Sequence, residues 1–122
     1  MNVSIITKSN VTPETLDALA GELPVILSEL LEVPGGYIAL LKPEQVSLEF
    51  SQASVRDVGS DIRIKILSSS NEPRLSSKHT LAREILEKVV ALFPKSAGEY
   101  SVDIRLYLME IGVAEHHSTD GR

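Results

Sequence analysis

Met1-Asn-Val-Ser-Ile-Ile-Thr7 is short, apolar and rich in β-branched residues, the pattern of a β-strand. No targeting peptide or flexible arm is expected ahead of it, because the start lacks a basic region and an apolar signal core. A chain that opens inside its own sheet holds its terminal amine in a fixed place. Whether that amine does chemistry is the functional question the sequence poses, and Asn2 is the residue that bears on it.

Outward from this strand, Lys8 to Val11 reads as a polar turn. Thr12-Pro13 is a strong helix start, since threonine caps and proline lacks an N–H that would be unsatisfied there anyway. Leu16, Leu19, Leu23, Ile26, Leu27, Leu30 and Leu31 then recur at helical spacing. Gly21 and Pro24 interrupt the pattern without shifting its phase, so one kinked helix is expected. It stops at Val33-Pro-Gly-Gly36. Tyr37 to Lys42 is a continuous apolar run and is expected as the second strand. Gln45 to Phe50 alternates and is expected as a short extra strand.

Asp61-Ile-Arg-Ile-Lys-Ile-Leu67 is the cleanest strand pattern in the chain, with Ile62, Ile64 and Ile66 on one face and Arg63 and Lys65 on the other. Ser68 to Arg74 is expected as a polar loop. Ser76 or Ser77 caps a second helix, whose stripe is Leu81, Ile85, Val89 and Leu92. Pro94 and Gly98 end it. Ser101 to Met109 alternates again and is the last long strand. The order is strand, helix, strand, twice over, and each helix is long enough to cross between parallel strands. This predicts an α/β (α+β) fold: two tandem βαβ units, and a four-stranded mixed sheet with two helices on one face. The domain spans 1–113, followed by a polar tail, 114–122. The uncovered face of the sheet is expected to pack against another copy of the chain.

Bulk properties narrow the function. The chain has 122 residues and a net charge of −5. That balance argues against nucleic-acid and anionic-membrane partners. No apolar run approaches the roughly 18 residues of a membrane span. Without cysteine there is no thiolate chemistry, no disulfide frame and no thiolate metal site, which fits a cytoplasmic location. No phosphate loop and no Gly-x-Ser-x-Gly motif occurs. His116 and His117 adjoin Glu115, but adjacent histidines in a polar tail lack the convergent spacing of a metal site. His79 is expected to be an exposed residue of the second helix's first turn. No metal and no cofactor is expected.

Val33-Pro-Gly-Gly-Tyr-Ile-Ala-Leu-Leu-Lys-Pro-Glu-Gln-Val46 is similar to a segment of the macrophage migration inhibitory factor group of the tautomerase superfamily, in which a Pro-x-x-Tyr-Ile-Ala-Val run precedes a Pro-Asp-Gln turn. Length and element order resemble that superfamily too. The resemblance covers nearly the whole chain in pattern and about ten residues in identity. It implies a homotrimer with sites at subunit boundaries, and keto–enol tautomerase (isomerase) chemistry on a small enolisable keto acid. In that family an amino-terminal proline, exposed by loss of the initiator methionine, shuttles the proton. Here the corresponding position is Asn2. A bulky asparagine is expected to keep Met1 in place, moving the amine roughly 3.5 Å outward. General-base transfer needs heavy atoms within about 2.6–3.2 Å. The family's substrate-binding lysine falls on Val33, which carries no charge. Under the resemblance, the catalytic candidates are therefore the amine of Met1 or Asn2. The binding candidates for a small carboxylate are Tyr37, Lys65 and Arg105, with Arg63 beside them. The implied function is a tautomerase fold with weak, altered or absent keto–enol activity. The alternatives are a non-catalytic oligomeric binding or scaffold protein, and an unrelated ferredoxin-like binding module.

Overall fold

The computed structural model describes residues 1–32, 42–95 and 99–116. Its first strand, β1 (Asn2–Thr7), lies inside the sheet, between two neighbours. Val3, Ile5 and Thr7 are buried, while Asn2, Ser4 and Ile6 point to the other face. The strand is anchored from its first residue, because the Met1 carbonyl accepts the Ser47 amide at 2.9 Å.

Helix α1 (Pro13–Leu30) starts where expected: the Thr12 hydroxyl accepts the Thr15 amide at 3.3 Å. It runs through both Gly21 and Pro24 as one helix. The buried stripe of Leu19, Leu23, Ile26 and Leu27 continues across the proline, and burial of that stripe outweighs the missing backbone hydrogen bond.

The second strand corrects the sequence reading. Strand β2 is Ser47–Gln52, entered through a 3₁₀ turn at Pro43–Gln45, and it pairs in parallel with β1. The stretch expected as a minor extra strand is thus a full member of the four-stranded sheet. The expected strand at 37–42 falls on residues outside the described set, except Lys42. Lys42 is extended and precedes the 3₁₀ turn, where its amide donates to Gln45 Oε1 at 2.8 Å. The alternation of 47–52 is muted because β2 is an edge strand with few fully buried positions, which is why it reads weakly.

Strand β3 (Ile62–Ser69) runs antiparallel to β1. After it, the loop expected at 68–74 is shorter than predicted. Ser68 and Ser69 still belong to β3, and Glu72–Ser76 forms a short helix, α2. Asn71 caps α2 through its side chain, accepting the Arg74 amide at 2.9 Å. Helix α3 (Lys78–Ala91) begins at Ser77, whose side chain makes no capping bond. Strand β4 (Val102–Met109) closes the sheet parallel to β3.

The sheet order is β2-β1-β3-β4, two parallel pairs joined by one antiparallel pairing. The two long helices cover one face. Between them and the sheet sits one core, built from Val3, Ile5, Leu19, Leu23, Leu27, Ile62, Ile64, Ile66, Ile85 and Val89. Tyr100 ties the halves together. Its hydroxyl accepts the Thr12 amide at 3.1 Å, and its ring meets Phe93 edge to face with centroids 5.4 Å apart. The helix-free face is more polar than expected. Ile6, Leu67, Tyr107 and Met109 share it with Asn2, Ser4, Arg63, Lys65, Asp103 and Arg105. The strands' apolar residues had been spent on the helix side, so the open face is a mixed surface.

Candidate functional site

The sheet register fixes where the expected site residues stand. Asn2 is exposed on the helix-free face, flanked by Ser47 on β2 and Leu67 on β3. Met1 is partly buried and packs against the core. In the next row of the same face, Ser4 pairs with Lys65, and Lys65 pairs with Arg105. Neighbouring strands are about 4.8 Å apart, so the two cations are direct lateral neighbours. Like charges set side by side repel, and an anion between them would relieve that repulsion. Arg105 is partly engaged, its Nε lying 3.1 Å from the Asp103 carboxylate on the same strand and face. The register therefore brings Asn2, Lys65 and Arg105 onto one face. Tyr37 and Val33 lie outside the described residues, so that face is described without them.

Arg63 has a different job. It sits 2.5 Å from Asp57, in the loop between β2 and β3. Asp57 also accepts the Gly59 amide at 2.7 Å. The Gly59 amide first, and then Arg63, hold the Asp57 carboxyl below the usual range. Arg63 is therefore a loop clamp. Asp61 is held low in a similar way, chiefly by the Ser101 amide at 2.9 Å.

One cation missed by the sequence reading lies at the amino end of β1. Arg74 Nε and Nη2 donate to the Leu31 carbonyl at 3.0 and 2.7 Å, where α1 ends. Its Nη1 donates to Ser68 Oγ at 3.1 Å and to the Ser69 carbonyl at 3.0 Å. The guanidinium thus satisfies the Leu31 carbonyl at the negative end of α1 and stitches it to the end of β3. Burial pushes its pKa down. It lines a cleft of about 180 Å³ with Leu31, Pro73 and Leu81. Asn71-Glu72-Pro73 was the available signal: a capping residue followed by proline opens a helix, and such a helix presents Arg74 in place. His79 and His116 are exposed, and His117 lies outside the described residues.

Solved structures with this architecture are numerous. A fused 4-OT that forms a symmetric trimer matches over the whole of both chains, with 16% identity and a TM-score of 0.63. A member of the cis-3-chloroacrylic acid dehalogenase family matches over 95% of this chain and 80% of its own, with 14% identity and a TM-score of 0.67. A macrophage migration inhibitory factor-like protein from Entamoeba histolytica matches over 96% of each chain, with 20% identity and a TM-score of 0.58. No family model and no curated protein matches the sequence. The fold is that of the tautomerase superfamily, as the resemblance implied. At these identities the likeness speaks for the fold and leaves the activity to be argued from the residues.

Proposed function

We propose that this is a tautomerase-fold protein that binds small carboxylates and in which keto–enol proton shuttling is weak or absent. One observation carries the reading: β1 is locked into the middle of the sheet, and the position corresponding to the family's catalytic proline is Asn2. The Met1–Ser47 bond leaves the first residues no slack to slide by one position, because a one-residue slip would turn every side chain of β1 to the opposite face. An asparagine side chain is an amide and does not titrate, so it supplies no base.

Binding of carboxylates is supported by the lateral pair Lys65 and Arg105, with Arg74 at the same end of β1 as Asn2. Structural neighbours named for cis-3-chloroacrylic acid and malonate semialdehyde act on small acids, which is consistent with this substrate class. The chain assembles as a homotrimer, in line with neighbours that are trimers. No helix among the described residues is long and apolar enough to cross a membrane.

The test is phenylpyruvate ketonisation by protein whose intact mass has been measured. The expected result is Met1 present and a rate close to the uncatalysed one. Robust saturable turnover with Met1 present would overturn the reading. Should Met1 be absent, the Asn2 amine would stand in the proline's place, and an amine base would again be available.

A further inference from the structure

Four residues with polar side chains are buried among the described residues: Thr7, Thr15, Ser28 and Ser68. Three of them are hydrogen-bonded, Thr15 with Thr12, Ser28 to the Val25 carbonyl, and Ser68 from Arg74. The fourth, Thr7, is 7% exposed. Its side chain lines a cleft. The cleft is about 310 Å³. That falls within the roughly 300–1,000 Å³ of small-molecule sites.

Val11 and Leu16 form one apolar wall of the cleft and Phe50 the other. Phe50 shares the helix face with Ile5, its β1 partner, yet is 43% exposed because nothing among the described residues covers its end of β2. Lys8 and Gln52 also line it, and Lys8 is the only charged residue of the lining among the described residues. The position is also telling. It lies just past the carboxyl ends of two adjacent parallel strands, where open α/β sheets commonly take ligands.

We propose that this cleft binds a small aromatic carboxylate, with the ring between Phe50 and Leu16 and the carboxylate between the Lys8 ammonium and the Thr7 hydroxyl. Lys8 also acts on Asp57 and Asp61, but each has a nearer partner, Arg63 and Ser101 respectively. The ammonium is therefore available to an incoming anion. This site is independent of the function proposed above. It sits on the helix side of the sheet, at the other end of β1 from Asn2, about 17 Å away.

The experiment is an NMR titration of the full chain with phenylacetate, using 2-phenylethanol and acetate as controls. Saturable amide shifts are expected at residues 7–11, at Leu16 and at residues 50–52, with both controls weaker. Lys8→Gln should weaken phenylacetate roughly two- to fivefold, the range of an exposed charge pair. Thr7→Val should weaken it while leaving Tm unchanged or higher, since valine matches the shape. The proposal is overturned by an absence of saturable shifts, by shifts centred on Lys65 and Arg105 instead, or by affinity unchanged in both variants. A fall in Tm for Thr7→Val would also count against it, since it would make the hydroxyl a structural group.

Discussion

Arg74 shows how one side chain can close two elements at once. Four of its donor contacts go to the end of α1 and the end of β3, so removing it leaves the Leu31 carbonyl at the helix terminus without its cationic partner. Arg74→Met is expected to cost about 1.5–3 kcal/mol, the range for hydrogen bonds to a charged group. Urea unfolding would measure it, and an unchanged midpoint would show that the contacts add nothing. At Asp57 and Asp61 the prediction concerns pH. Both carboxyls are held below their ordinary value in the folded state. The folded chain therefore binds these protons less readily than the unfolded chain. The resulting stabilisation is present above about pH 4 and is lost as pH falls through the lower folded-state values. Asp57→Asn with Asp61→Asn should flatten the acid limb of a Tm-against-pH curve; a limb as steep as the wild type's would contradict this.

At the scale of elements, α1 and β2 mark what the sequence made legible and what it did not. The leucine stripe of α1 kept its phase across Pro24, and the helix does run through it. Strand β3 was readable because Ile62, Ile64 and Ile66 face the core while Arg63 and Lys65 do not. Strand β2 was read only as a short extra strand because its edge position weakens the burial contrast on which alternation depends. Helix α2 was overlooked because five residues hold too little periodicity to see, although its cap was readable. Of the candidate site, the parity of Lys65 within its own strand was legible, but its alignment with Asn2 and Arg105 on one face depends on the strand pairing. The place of Arg74 did not, since it depends on a tertiary contact between two distant segments. Pro24 offers a test at this scale. Pro24→Ala would return an amide donor to the helix and is expected to raise stability by up to about 3 kcal/mol in denaturant unfolding. A loss instead would show that the proline itself is needed to seat Ile26 and Leu27.

At the scale of the molecule, the helix-free face decides how copies meet. It mixes Ile6, Leu67, Tyr107 and Met109 with three cations and Asp103, so an interface there has to be partly polar. Light scattering is expected to report three chains of 13.3 kDa per particle. Such assembly should weaken in Lys65→Glu, which places a carboxylate next to Arg105 and changes the charge pattern of the face; a monomer in the wild type would contradict the expectation.

The proposed loss of keto–enol shuttling turns on Asn2 standing where the family carries a proton-shuttling imino group. Phenylpyruvate ketonisation at neutral pH, on mass-verified protein retaining Met1, tests it most directly. The predicted result is a rate close to the uncatalysed one. Robust turnover that rises in proportion to protein and saturates with substrate would contradict it.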